Sequence, residues 1–356
     1  VLSLVGSEMC IRDSHITLYC LDWENRQAVF VETPADVDLS QAPFYFSTQY
    51  EEATRIVTIS LEAMKRLAES VSIDDNRLIH IYSVGRCGST LASQVFASIP
   101  GVINISEPHV LSQLVIARNT KAVTEDELPA LLVATICLLC KRAADTAWVV
   151  KGQSFVIELG DWWHEVYPQT RNLFLYRHAE TWLQSGLKAF SGGPGLPEEE
   201  QRSIESQRRA LLGSLVPLIA QVDLSQPLSH ADMLSLMWLR AMERYVQYCD
   251  MGIEMLAIRY ASWLSSPRRT VEAMLEYCQC RPADMTAVYE ALDRDSQAGT
   301  GLSREALDRR ARLVTDLEME ELHRHLQRHA FMHEADYEVP NTLSVRCPVR
   351  QNVIAG

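Results

Sequence analysis

Lysine is scarce in this chain. Lys65, Lys121, Lys141, Lys151 and Lys188 are its five, arginine supplies the other 28 cationic residues, and 46 acidic residues leave a net charge of −13. A surface of that sign repels phosphate backbones and anionic headgroups. General nucleic-acid binding and electrostatic membrane attachment are therefore excluded, although one local basic pocket is not. No apolar run is long enough for a bilayer: the longest, Leu128 to Cys140, falls short of the roughly 20 residues a spanning helix needs. The nine cysteines follow no disulfide framework. Cys137 and Cys140 sit inside LLVATICLLC, where a helix turns both toward the core. Cys278 and Cys280 have no second pair to complete a zinc site. A reducing compartment, the cytoplasm, fits this usage. The Walker pattern GxxxxGK[ST] is missing, which counts against Mg²⁺-dependent nucleotide hydrolases. His323, His325, His329 and His333 lie in a polar C-terminal segment without partners at ligand spacing, so no metal site is expected.

At 356 residues with 47% hydrophobic content, the chain can bury a sizeable core without staples. Val1 to about Ser14 resembles a prefix of non-native origin rather than a signal peptide, and is set aside. HITLYCLDW and AVFVETP, separated by ENRQ, predict a strand pair, followed by a helix over Leu61–Ser70. Buried parallel strands are expected at Leu78–Val84, Val102–Ser106, Trp148–Lys151, Asn172–Arg177 and Met255–Tyr260. Between them, helices are expected at Thr90–Ile99, Glu127–Ala144, Phe155–Tyr167, Ala179–Phe190, Arg202–Val222, His230–Tyr248 and Arg268–Tyr277. That alternation implies an α/β fold of three layers, α/β/α, around a central parallel sheet. The expected organisation is an N-terminal segment 15–76 packed on the core, one main domain over 77–335 and a tail over 336–356. The loops Phe190–Glu199 and Asp293–Arg304 break the alternation with glycine, proline and polar residues.

The strongest local signal is IHIYSVGRCGSTLASQVFASI. A strand runs into Gly85-Arg86-Cys87-Gly88-Ser89-Thr90 and then into an amphipathic helix. Glycines let successive N–H groups converge on an anion, and the helix N-terminus adds its positive dipole end. Arg86 offers a bidentate cation. Lys151, closing the apolar run Trp148-Val149-Val150, is poor core material and a second candidate.

These residues resemble the sulfotransferase family. Its strand–loop–helix grips a 5′-phosphosulfate, and Arg86 to Thr90 is similar to the arginine-bearing form of tyrosylprotein and carbohydrate sulfotransferases. NLFLYRHAETWLQS offers Arg177 at a strand end and Ser185 eight residues on, the spacing at which the family binds the 3′-phosphate. VVKGQSF places Lys151 where the family often has a lysine, with Gln153 in place of the usual proline. IRYASWLSSP resembles the family segment whose tyrosine, here Tyr260, lies near the adenosine; Ala261 and Ser262 depart from the usual acidic pair. DSQAGTGLSR resembles a late loop closing over the nucleotide, with Gln297, Gly299, Thr300, Ser303 and Arg304 as donors.

The resemblance covers about Leu78 to Arg304. It implies a P-loop-like fold and 3′-phosphoadenosine 5′-phosphosulfate (PAPS) as sulfuryl donor, with 3′-phosphoadenosine 5′-phosphate (PAP) as product and no metal. The acceptor would be a small molecule, glycan or peptide with a hydroxyl or amine. Sulfuryl transfer needs a base and charge stabilisation. Glu107, at a strand end 21 residues after Arg86, matches the family's glutamate base, with His109 as its competitor; Arg86 and Lys151 would stabilise charge. Two rivals remain open. An atypical P-loop kinase would want a Walker lysine and an acidic Mg²⁺ ligand. A non-catalytic nucleotide-binding protein would tolerate loss of the basic residues, all of which are present.

Overall fold

The computed structural model describes residues 15–141, 146–190, 198–222, 228–310 and 312–344, with side chains from 206 onward in the third of these segments. The prefix 1–14, residues 191–197 of the Phe190–Glu199 loop, and the tail from 345 lie outside the described residues.

The chain opens with an antiparallel meander of three strands, β1 (Ile16–Asp22), β2 (Gln27–Glu32) and β3 (Arg55–Ser60), with α1 (Tyr45–Glu51) before the third. The expected strand pair is thus a three-stranded sheet. RIVTIS carried the alternation that marks a half-buried strand, since only Val57 and Ile59 turn inward. α2 (Leu61–Ala68) follows, its first turn capped by Ser60, which accepts a hydrogen bond from the Ala63 N–H.

The main sheet holds β4 (Leu78–Ser83), β5 (Val102–Ser106), β6 (Ala147–Lys151), β7 (Arg171–Tyr176) and β8 (Met255–Arg259), all parallel, in the order β5-β6-β4-β7-β8. From β4 the chain builds out to one edge through α3 (Ser89–Ala97), β5, α4 (His109–Thr120) and α5 (Glu127–Leu139) and returns at β6. It then crosses to β7, so that β4 lies between strands reached in opposite directions. That is the topological switch point, and open α/β sheets bind ligands beyond the carboxyl ends of the strands there. Helices cover both faces. Along β6, Trp148 and Val150 join the hydrophobic cluster shared with the N-terminal meander, whereas Val149 joins the cluster shared with the C-terminal helices.

After β6 a 3₁₀ segment, Ser154–Leu159, leads into α6 (Gly160–Val166), in place of the single helix expected over Phe155–Tyr167. Tyr248 forces the tighter turn: a Cβ on Gly160 would stand 2.5 Å from its ring, and its hydroxyl donates to the Ile157 carbonyl at 2.6 Å. α7 (Ala179–Phe190) follows β7. The helix expected over Arg202–Val222 is two, α8 (Glu198–Leu215) and α9 (Pro217–Gln221), because Pro217 has no N–H and pushes Val216 into extended backbone. α10 (His230–Asp250) precedes β8, and α11 (Tyr260–Ser265), α12 (Pro267–Tyr277), α13 (Thr286–Asp293), α14 (Arg304–Asp308) and α15 (Asp316–Arg328) complete the chain. Tyr260 begins α11 rather than ending β8. The helix expected to reach Ala144 stops at Leu139, and residues 142–145 are outside the described residues. α4 went unread in the sequence because apolar residues surround it, burying Val110, Leu111, Leu114 and Val115 together. Among the described residues no helix is long and apolar enough to cross a membrane.

Candidate active site

Four strands of the main sheet end in the chemistry-bearing residues. Glu107 follows β5, Lys151 ends β6, the glycine-rich loop follows β4, and Arg177 follows β7. All of them line one cleft of about 590 Å³, within the usual range for small-molecule sites. A second cavity of about 230 Å³ lies between the meander and β5. Its buried Asn104 is already satisfied by Ser93 and the Ser40 carbonyl.

The loop has an unusual backbone. Gly85, Arg86 and Gly88 all have positive φ, 76°, 50° and 88°. Glycine adopts that region freely; arginine does so at a cost. Trp182 braces the turn, its indole N–H shared between the carbonyls of Val84 (2.9 Å) and Gly85 (2.8 Å). Gly88 is the N-cap of α3 and supplies no side-chain cap, and Gly88, Ser89 and Thr90 at the start of that helix line the cleft. A Cβ there would meet Tyr260 and Trp263 at 3.5 Å, an ordinary contact, so it is the positive φ rather than the space that calls for glycine.

Two guanidinium groups meet beside this loop. Arg86 donates from Nε to Ser185 Oγ (3.3 Å) and from Nη1 to Gln297 Oε1 (3.0 Å). Arg177 donates to Thr181 Oγ1 (3.0 Å) and to the Arg86 carbonyl (3.2 Å), and lies 4.6 Å over the Tyr260 ring. Burial, and then the charge of Arg177, pull the Arg86 guanidinium below its ordinary value; burial does the same to Arg177. Every described partner of these two cations is neutral. A cation in that position gains strongly from an anion.

Lys151 differs. It is 1% exposed, and its ammonium is paired with the Glu107 carboxylate, with Thr90 Oγ1 at 3.5 Å. Glu107 sits at φ 59°, and its N–H donates to the Lys151 carbonyl at 2.7 Å, so the left-handed turn aims its side chain back at the lysine. Gln297 Nε2 also reaches Thr90 Oγ1 (3.4 Å), tying the late loop to the start of α3. His109 does not line the cleft: its ring is 5.9 Å from that of Phe46, and burial lowers its pKa.

Of the residues singled out in the sequence, Arg86, Gly88, Ser89, Thr90, Glu107, Lys151, Arg177, Ser185, Tyr260, Gln297 and Arg304 line the cleft. Cys87, Gly299, Thr300 and Ser303 do not. Cys87 is buried, its thiol against the Leu175 carbonyl (3.2 Å) and pushed up to about 11 by burial. Ser303 caps α14 through the Ala306 N–H, Thr300 donates to the Gln297 carbonyl, and Gly299 turns the loop at φ 78°. These three shape the loop rather than the cleft wall.

Several wall residues were not read from the sequence: Phe44, Ser154, Phe155, Arg208, Leu212, His230, Leu234 and Met237. Leu234 and Met237 carry the helical period of α10 and are indistinguishable in sequence from core positions. His230 is held neutral, its pKa lowered to about 4 by burial and then by the charges of Arg208 and Arg312.

No protein-family model matches the chain, and neither does any curated protein sequence. Solved structures similar to it include the sulfotransferase STF1 from Mycobacterium tuberculosis, at 12% identity and TM-score 0.43, covering 72% of this chain and 78% of that one. The sulfotransferase STF9 from Mycobacterium avium is 12% identical with TM-score 0.37, covering 75% and 79%. The sulfotransferase domain from the curacin biosynthetic pathway is 12% identical with TM-score 0.38, covering 74% and 98%.

Proposed function

We propose that this chain is a sulfotransferase that takes the sulfuryl group from PAPS and passes it to a hydroxyl or amine, with Glu107 as general base. The observation that carries the proposal is the pair of partly buried guanidinium groups, Arg86 and Arg177, at the switch point of the sheet with only neutral partners. Together with the N-terminal end of α3 they offer an anion two cations and the positive end of a helix dipole. Arg177 suits the 3′-phosphate together with Ser185, whose hydroxyl accepts from Arg86 Nε in the free protein, Arg86 with Ser89 and Thr90 suits the 5′-phosphosulfate, and Tyr260 the base or ribose. No Walker lysine stands at the start of α3, which disfavours the kinase reading.

In the reaction, the acceptor oxygen or nitrogen forms a bond to sulfur as the sulfur–oxygen bond to the 5′-phosphate breaks. The acceptor's proton passes to a base, and PAP leaves with the electron pair on its phosphate oxygen. Lys151 lies between Thr90 and Glu107, where its charge can stabilise that leaving oxygen. Glu107 loses its ammonium partner as Lys151 turns to the donor's anion, and its carboxylate is then free to accept the proton. The residues perform this by positioning and electrostatics, and the scheme asks for no metal.

The test is calorimetry with PAP in EDTA, alongside ATP with Mg²⁺, and a transfer assay with labelled PAPS against a panel of alcohols, phenols and amines. Micromolar PAP binding and label transfer are expected. Absence of PAP binding at millimolar ligand would falsify the donor assignment. PAP binding without transfer to any acceptor favours the non-catalytic rival.

A further inference from the structure

Beyond Lys151 and Glu107 the cleft changes character. Phe155 from the 3₁₀ segment, Leu212 from α8, and Leu234 and Met237 from α10 form an apolar wall, with Phe44 and Phe190 at its margins. One charged side chain interrupts that wall. Arg208 stands one turn before Leu212 on α8, a spacing of four that puts both on the same helix face. Its charge is felt at His230, four residues before Leu234 on α10, yet among the described residues Arg208 has no ion-pair or hydrogen-bond partner. His230 is neutral at ordinary pH, so it adds no second cation to this part of the wall.

A partly buried guanidinium facing apolar side chains is costly unless an anion meets it. The donor's own anions have cations elsewhere: Arg86 and Arg177 on the loops after β4 and β7, Lys151 on β6 and Arg304 at the start of α14. Arg208 belongs to the other half of the cleft, among residues that suit a hydrocarbon or aromatic body.

We propose that Arg208 selects the acceptor, which is an apolar hydroxy acid whose carboxylate pairs with the guanidinium while its hydroxyl faces Glu107. A single planar fork on an otherwise apolar wall matches a single carboxylate on a hydrophobic scaffold. A neutral sugar would leave its hydroxyls against Phe155, Leu212, Leu234 and Met237 without partners. The inference rests on the sulfotransferase reading and adds the acceptor class to it.

The experiment compares a set of aryl and alkyl hydroxy acids of increasing length with their methyl esters. Transfer from labelled PAPS is measured for wild type, Arg208→Met and Arg208→Lys, with PAP affinity measured in each. Wild type should favour the acids in kcat/KM by about 10- to 100-fold, the range of a charge-assisted pair. Arg208→Met should lose that preference through KM while keeping its rate on the esters and its PAP affinity. Arg208→Lys should restore part of it. Equal use of acid and ester by wild type, or use of neither by an enzyme that binds PAP, overturns the inference and leaves the donor reading intact. A fall in PAP affinity in Arg208→Met overturns it as well, because Arg208 would then serve the donor. Failure of wild type to bind PAP overturns the reading beneath it.

Discussion

Arg177→Met separates binding from stability at the anion cradle. The substitution keeps most of the side chain's volume and removes its charge. In the free protein it deletes two hydrogen bonds, to Thr181 Oγ1 and to the Arg86 carbonyl, and the stacking over Tyr260. Such contacts contribute about 0.5–1.5 kcal/mol each. Against that loss, the variant relieves the burial of one cation and its repulsion of Arg86, which pull both groups below their ordinary pKa. The two effects oppose each other, so the stability of the free protein, measured by urea unfolding, should stay within about 1 kcal/mol of wild type. Nucleotide binding has no such compensation. A charge-assisted contact to phosphate is lost, about 1.5–3 kcal/mol, so PAP affinity should fall by about 10- to 100-fold. The preference for PAP over adenosine 5′-phosphate should shrink by the same factor. The reasoning is refuted if the variant is destabilised by several kcal/mol while calorimetry finds PAP binding unchanged. Arg177 would then be a structural cation holding the loop through the Arg86 carbonyl.

Glu107→Gln should lower kcat by at least about 100-fold with PAP affinity unchanged, whereas His109→Ala, whose ring lies outside the cleft wall, should leave the rate near wild type. Near-wild-type turnover by Glu107→Gln would remove the base assignment. The Cys87 thiol, buried and with its pKa raised to about 11, should resist iodoacetamide at pH 8 in the folded protein, read by peptide mass mapping; rapid alkylation would show that it faces the cleft. Glu158→Gln should cost about 3–5 kcal/mol in urea unfolding, since Glu158 is 3% exposed and takes hydrogen bonds from Arg240 Nε and Nη2 at 2.5 and 2.8 Å. A loss below 1 kcal/mol would mean Glu243 alone balances Arg240.

The half of the cleft that holds Arg86, Lys151 and Arg177 was legible because it obeys a rule written along the chain. In a parallel sheet, residues just past the strands gather at one edge, and the polar residue that closes an apolar run marks that edge. Lys151 after Trp148-Val149-Val150 and Arg177 after Asn172 to Tyr176 are both of this kind. The loop Gly85 to Thr90 is local and announces itself by its glycines. The apolar half had no such mark. Leu212, Leu234 and Met237 face the cleft from helices whose other apolar residues face the core, and hydrophobic period is the same for both. Arg208 lies in the polar stretch ESQRR, where an arginine reads as a solvated residue. The third meander strand and α4 were missed for different reasons: Arg55–Ser60 is short and half exposed, and α4 spreads its apolar residues around the helix, burying Val110, Leu111, Leu114, Val115 and Ala117 with Ser112 among them.

The tryptophans show how the cleft keeps its shape before any ligand arrives. The Trp182 indole N–H serves the Val84 and Gly85 carbonyls, and Trp238 Nε1 serves the carbonyl of Arg177 at 3.0 Å. Each of these carbonyls lies where the chain leaves a strand of the main sheet, so the sheet's own ladder does not reach it. Left buried and unpaired, such groups would each cost about 1–3 kcal/mol. Satisfying them from large indoles fixed in the core lets the backbone at Arg86 adopt a left-handed turn and lets two guanidinium groups stay close together with no carboxylate between them. The core therefore holds a strained, cation-rich loop in a form that an anion can complete. A carboxylate in place of Ser185 or Gln297 would neutralise Arg86 and stabilise the empty protein, and it would oppose any anion that enters the cleft beside the two guanidinium groups.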